Sequence, residues 1–407
     1  MTRPTIIKRN ASILHCKNVL AFAGILVCSS PVHAGDNEIE VSGFARVVAG
    51  YLDDNNADYL GYDNTISIDQ QSLFGLQLEW PVSAKLSFTT QLLAHSSDTR
   101  DSGAEWLYLT YQANESLRIK LGKMRTPFFS YSEHLDVGYA YPWITPPQLD
   151  YSIFTTYTGA NASLSHLFDG LQLYLEGYYG NFSGDIFVAD SIFNNAGADD
   201  LHGLIAKVSN NNLEFRVAWH QTTASTESPE LTQFATQLAQ LGYTRSAASL
   251  NTRGTLQVTQ ISIIKEALDY FARIEWLDSR SRQITNPDVQ IYSASLGLYR
   301  DSLTHYLSYI YFRNDYPSPQ NEILDNVSPQ FDALSAAYQN LFQQLPRDDL
   351  SKYVIGTRWD LQNNLALKAE VAFLMGRHGQ RSLFSIKNDA EFDRQATLYQ
   401  VSLEWVF

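Results

Sequence analysis

Apolar and polar residues alternate with a period of two along most of the chain. Between Ile66 and Trp80 the even positions include Ile66, Ile68, Phe74, Leu76, Leu78 and Trp80, and the odd positions carry Asp69, Gln71, Gln77 and Glu79. A strand with one apolar and one polar face gives this pattern, because successive side chains point to opposite sides. The pattern returns in Leu171, Leu173 and Leu175 against Gln172 and Glu176, in Leu213, Phe215, Val217 and Trp219 against Glu214, Arg216 and His220, and in Tyr270, Ala272, Ile274 and Trp276 against Asp269, Arg273 and Glu275. In the last ten residues Tyr399, Val401, Leu403, Trp405 and Phe407 share one face, and Leu398, Gln400, Ser402, Glu404 and Val406 share the other.

Connection lengths alternate as well. Tight turns are expected at Pro81-Val82-Ser83, Asn114-Glu115, Phe168-Asp169-Gly170, Asn210-Asn211-Asn212, Glu266-Ala267, Arg300-Asp301 and Gln362-Asn363-Asn364. Long polar stretches lie near 53–64, 97–103, 125–151, 182–199, 221–252, 279–288, 314–350 and 377–394. Seven short turns and eight long loops join about sixteen strands. The expected strand length of about ten residues suits a tilted bilayer crossing, and Trp80, Tyr111, Trp219, Trp276, Trp359 and Trp405 are candidates for interfacial girdles. A soluble sandwich seldom needs so many strands with its loops at one end. The fold expected is all-β, a closed transmembrane antiparallel β-barrel, in which the first and last strands pair and no edge meets lipid.

Two loops break the period of two. Leu231, Phe234, Leu238 and Leu241 follow Ser228-Pro229, and Phe331, Leu334, Tyr338, Leu341 and Leu345 follow Ser328-Pro329. Helical spacing after a Ser-Pro start predicts short amphipathic helices, packed on the barrel mouth or presenting a binding surface.

Residues 1–34 read as a secretory signal peptide. Arg3, Lys8, Arg9 and Lys17 carry positive charge without an acid, an apolar run follows from Val19 to Val27, and Val32-His33-Ala34 fits a cleavage site before Gly35. Both cysteines, Cys16 and Cys28, fall inside this segment, so residues 35–407 hold no disulfide or cysteine metal site. Removing its four cations from 29 Lys and Arg leaves 25 against 43 acids, a net charge of −18. Nucleic-acid binding would need the opposite sign.

Catalytic signatures are missing. In Gly180-Asn181-Phe182-Ser183-Gly184 the serine stands one position late for a nucleophile elbow. His95, His134, His166, His202, His220, His305 and His378 have no i, i+4 pairing for a metal-binding helix and read as solvated lumen or loop residues. No cofactor or metal is expected, and the chain reads as a channel and not an enzyme.

The ending Tyr399, Val401, Leu403, Trp405, Phe407 resembles the assembly signal of Gram-negative outer-membrane barrels. The whole of 35–407 resembles the sixteen-stranded diffusion porins, and Leu117–Ser130 is similar to the porin stretch where strand five enters the third loop. The resemblance implies a third loop folded into the lumen, recognition by the barrel assembly machinery, a homotrimer among outer-membrane lipid and lipopolysaccharide, and passive diffusion of ions and small hydrophilic solutes. A substrate-specific channel is the alternative, followed by a surface adhesin or receptor, or an outer-membrane enzyme on a plugged barrel.

Face parity turns Arg46, Arg118 and Lys120 inward, and the loop brings Glu133 and Asp136, so these residues with Arg125 are the constriction candidates. Acids on the loop facing bases on the wall would set a transverse field. Tyr131, Tyr139, Tyr141 and Trp143 enrich the same loop in aromatics, and Pro127, Pro142, Pro146 and Pro147 stiffen it. On strand one the outward Ile39, Val41, Gly43, Ala45, Val47 and Ala49 form a flat surface suited to a subunit contact. The mouth looks acidic. Asp53, Asp54, Asp58 and Asp63 have no cation nearby in sequence, and Glu322, Asp325, Asp332, Asp348 and Asp349 meet Arg347 alone, which predicts a mild cation preference.

Overall fold

The computed structural model describes residues 38–97, 100–146, 154–188, 191–324 and 327–407, all in one compact unit, Asp36–Phe407. The expected signal peptide at 1–34 lies outside the described residues, as do Pro147 and Asp325.

Sixteen strands close into one antiparallel barrel. They are β1 (Glu40–Leu52), β3 (Leu73–Ser83), β4 (Leu86–His95), β5 (Gly103–Gln112), β6 (Leu117–Arg125), β7 (Thr156–Phe168), β8 (Leu171–Val188), β9 (Ser191–Ser209), β10 (Leu213–Ser225), β11 (Arg253–Glu266), β12 (Tyr270–Ser281), β13 (Asp288–Arg300), β14 (Leu303–Asp315), β15 (Asp349–Gln362), β16 (Leu365–Gly376) and β18 (Gln395–Val406). Two short strands, β2 (Ala57–Tyr59) and β17 (Phe384–Ile386), pair with each other in a separate two-stranded sheet and tie the first long loop to the last. The seam joins β1 to β18, from Phe44 opposite Val406 to Leu52 opposite Leu398. Past the end of that ladder, Gly43 and Phe407 exchange both backbone hydrogen bonds, at 2.8 and 2.9 Å.

The alternation reads out as two faces. Leu171, Leu173, Leu175, Phe215, Ile274, Tyr399, Val401 and Leu403 are all exposed on the outer surface, where an apolar belt suits lipid. Trp80, Trp219, Trp359 and Tyr111 stand exposed on the same face, while Trp276 and Trp405 are half-buried. No helix among the described residues is long and apolar enough to cross a membrane, and the crossing elements are strands.

Three expectations of detail change. Most of the polar stretch 182–199 is strand: β8 and β9 run on for 18 and 19 residues as an antiparallel pair, because Phe182 and Gly184 keep their cross-strand partners Ala198 and Ala196. The strand read from Ile66 begins only at Leu73, since the first loop folds back with Ser67 bridging Gly50. At the first short turn the ladder continues through Pro81 to Ser83 with a register shift, moving the reversal past the residues expected to turn.

The expected helices form, α1 (Pro229–Gln240) and α3 (Pro329–Gln343), each with proline in its first turn after a serine, and α2 (Thr244–Ala248) follows α1. Leu238, Leu250, Ile284, Ile323, Tyr338 and Phe342 bury together where these loops meet.

Candidate functional site

The inward face of the barrel and the loop that enters it form the site. Register places Arg46 inward on β1 between Glu404 of β18 and Leu73 of β3, and Arg118 and Lys120 inward on β6 opposite Gln112 and Thr110. After β6 the chain turns into the lumen, so the third long loop folds inward. Two short 3-10 turns, Ser132–His134 and Gly138–Ala140, keep it compact.

Wall charges hold this loop by its backbone. The Lys368 ammonium on β16 is fully buried and donates to the carbonyls of Gly138, Tyr141 and Trp143, each at 2.8 Å, and to the Glu404 carboxylate at 2.9 Å. Three N–H groups thus serve four acceptors, a geometry that a lysine's rotatable head permits. Arg46 donates to the Ile144 carbonyl at 2.6 Å and lies 3.5 Å from Glu404. Glu370 accepts from the Ile144 amide at 2.7 Å and from the Tyr306 hydroxyl at 2.6 Å, and the Trp143 indole donates to Ser308 at 2.9 Å.

On the opposite side Arg216 of β10 donates to the Pro127 carbonyl at 2.6 Å, and Phe128 meets the His220 ring edge-on at 4.9 Å. The Ser130 amide and hydroxyl donate to Glu275 of β12, both at 3.3 Å. The loop therefore spans the lumen from β10 to β16.

The two candidate acids on this loop, Glu133 and Asp136, differ. Asp136 is buried in ion pairs with Arg125 and, at 2.7 Å, Arg100, and Arg125 also lies 2.8 Å from Glu105. Its charge is compensated within the loop's own anchor. Glu133 is exposed. On the wall beyond, the Lys120 ammonium stands 5.1 Å over the Tyr108 ring, Lys207 stands 4.4 Å over Tyr174, and Arg118 donates to Gln112 at 3.0 Å. Six of the candidates thus divide into a buried group, Arg46, Arg125 and Asp136, and an accessible group, Arg118, Lys120 and Glu133.

The lumen is less polar than alternation predicts. Inward positions on β14 to β16 include Tyr306, Ile310, Phe312, Leu350, Val354, Ala372 and Leu374, all buried in one cluster with Trp143 and Tyr141 of the loop. A second cluster joins Phe128, Phe154, Tyr157, Tyr178 and Ile205 on the β7 to β9 side. Large rings fit because glycines lie beneath them: a Cβ at Gly356 would meet the Tyr306 ring at 2.2 Å, and one at Gly297 would meet the Phe271 ring at 2.0 Å. His220, expected to be solvated, is instead buried and shares a 2.8 Å hydrogen bond with Tyr178.

The acidic mouth is also more balanced than local sequence implied. Lys387 of the last loop lies 2.6 Å from Asp58 and 3.8 Å from Asp63, Arg245 lies 2.8 Å from Glu322, and Arg381 lies 2.7 Å from Asp348. The cations come from loops distant in sequence. Lys368, Glu370, Arg100 and Glu105 were not singled out from the sequence. Parity on the last strands marks Lys368, Glu370 and Glu404 as inward charges, whereas nothing local marks Arg100.

No protein-family model and no curated protein matches the sequence. Solved structures do match in shape. A loop L8 deletion mutant of OmpT, an outer membrane protein of Vibrio cholerae, aligns at a TM-score of 0.56 with 11% identity over 92% of this chain and 100% of that one. Salmonella typhi OmpF in complex with daunomycin aligns at 0.55 with 11% identity, over 92% and 99%. An anion-selective porin from Comamonas acidovorans aligns at 0.53 with 12% identity, over 91% and 100%. The likeness is one of fold: a closed outer-membrane-type barrel.

Proposed function

We propose that this chain is an outer-membrane channel of porin type, passing ions and small hydrophilic solutes without catalysis or cofactor. The observation that carries this reading is the loop clamped across a closed sixteen-stranded barrel, held on one side by Lys368, Arg46 and Glu370 and on the other by Arg216. A polypeptide that only anchored a surface domain would not need its lumen charges spent on a loop backbone. Selectivity would come from width and from the accessible charges, Glu133 against Lys120 and Arg118. The aromatic packing inside favours a narrow passage, and it gives the second reading, a channel for particular solutes, its support.

Export through a cleaved signal peptide, folding by the barrel assembly machinery and residence in a Gram-negative outer membrane belong to the same proposal. So does a homotrimer. The exposed Val41 and Val47 of β1 continue into an apolar outer groove of about 700 Å³ bordered by Ala49, Val401, Ala369 and Ile355, which a neighbouring subunit could cover.

Planar-bilayer recording of the purified protein tests the reading. Stepwise openings of small conductance are expected. Saturation of the current by one solute would move the assignment to the specific channel, and a silent bilayer would overturn both.

A further inference from the structure

At the long-loop end, above the inward loop, the barrel holds a cavity of about 90 Å³; by the same measure one water takes about 10–15 Å³. It is large enough for one ring-sized group and opens toward the mouth. Part of its lining is apolar, with Phe154, Ile186, Leu256 and Phe312. Phe154 stacks on Phe182 at 5.0 Å and meets Phe128 edge-on at 5.3 Å, so its ring is held from behind. The lining also carries hydroxyls and amides from Ser225, Thr226, Thr285, Asn286, Asn314 and Tyr316.

The charges at this site cancel. Arg381 and Asp348 both line the cavity, and they are bound to each other through two hydrogen bonds at 2.9 and 2.7 Å. Asp348 also accepts from the Leu383 amide and the Asn314 side chain, both at 2.7 Å, which occupies its oxygens. Burial pushes the Tyr316 hydroxyl up to about 12, leaving it a neutral donor and acceptor. The Thr285 hydroxyl is buried and has no hydrogen-bond partner among the described residues. An ionic ligand would lose hydration here without a free counter-charge. A purely apolar one would strand the hydroxyls and amides.

We infer that this cavity is a capture site for a neutral, hydroxyl-rich solute of monosaccharide size, its C–H face on the Phe154 side and its hydroxyls on Thr285, Asn286 and Tyr316. The inference rests on the channel reading, since it names the solute class that such a channel would admit first. Groups that both donate and accept are what a ring of hydroxyls can satisfy. Aromatic surface matches the apolar faces that remain.

Isothermal titration of the full-length protein in detergent with glucose, and with sodium gluconate as the charged probe, tests it. Saturable glucose binding is expected, at least tenfold tighter than gluconate. The Thr285→Val/Asn286→Leu variant should weaken glucose binding tenfold or more, while its heat-modifiable gel migration confirms a folded barrel. Absent glucose binding, equal binding of gluconate, or an unaffected variant would overturn the inference. Bilayer recordings on the same preparation keep the two readings apart. Conduction without glucose binding removes the capture site and leaves the channel; glucose binding on a silent barrel removes the channel and leaves the site.

Discussion

At the scale of single residues, Lys368 carries the largest consequence. Its ammonium is wholly enclosed, and its partners are three loop carbonyls and Glu404. Replacing it by Met leaves the buried Glu404 with Arg46 at 3.5 Å and the Ser402 hydroxyl at 3.2 Å, and releases the carbonyls. Loss of one partner of a buried pair costs about 3–5 kcal/mol. Lys368→Met should therefore lower the unfolding midpoint in urea and raise single-channel conductance as the loop loosens, whereas Lys368→Met/Glu404→Gln should recover part of the stability. An unchanged midpoint would mean the loop is held elsewhere. The loop acids make a second comparison. Glu133→Lys should shift the reversal potential toward anions with the fold intact, because Glu133 is exposed. Asp136→Asn should act mainly on stability, again by about 3–5 kcal/mol, because it leaves Arg100 and Arg125 with Glu105 as their remaining acid. Equal selectivity shifts from both would contradict this division.

Among elements, the long loops are joined in pairs. The first and last meet through β2 and β17 and through Lys387 with Asp58 and Asp63. Hydrogen bonds from Thr65, with help from Lys387, hold the Asp63 carboxyl below its ordinary value of 3.8. A carboxyl depressed in the folded state stabilises above its unfolded value, and that contribution is lost as the pH falls through the folded one. The clasp should thus be intact at neutral pH and weaken below about pH 4, as cleavage of loop 53–72 by an acid-active protease would report. Lys387→Ala should move that susceptibility to higher pH, and high salt should act in the same direction, since these charges are partly exposed. The other pair meets at Tyr338 of α3, whose buried hydroxyl shares a hydrogen bond with Ser249 and accepts one from the Gln320 amide at 3.0 Å. Helical spacing announced both helices, but only their packing assigns them to the mouth instead of to a free surface.

For the whole molecule, closure is decided at the seam. The Phe407 ring lies over Gly43, where a Cβ would come within 2.3 Å of it, and it stacks on Phe74 at 6.1 Å and tilts against Trp405 at 4.7 Å. Phe407→Ala removes this cover while leaving the backbone exchange with Gly43. Its expected outcome is a smaller fraction of the protein reaching the compact, heat-modifiable form during membrane assembly, with the assembled fraction melting a few degrees lower. Normal assembly kinetics would remove Phe407 from the closing step.

What the sequence determined by itself was the barrel. A strand's side-chain period is two, so alternation sets faces, the count of alternating runs sets strand number, and the inward parity of Arg46, Arg118 and Lys120 follows from the same rule. The strand extension through 182–199 was hidden because its small and polar residues look like loop, and pairing with neighbours decided it. Tertiary structure alone decided how the lumen is filled. That Lys368 would clasp Gly138, that Lys387 would answer Asp58, and that Tyr306 would lie over Gly356 are contacts between residues tens or hundreds of positions apart. Periodicity tells each strand which way its side chains point; only closing the sheet brings those side chains face to face.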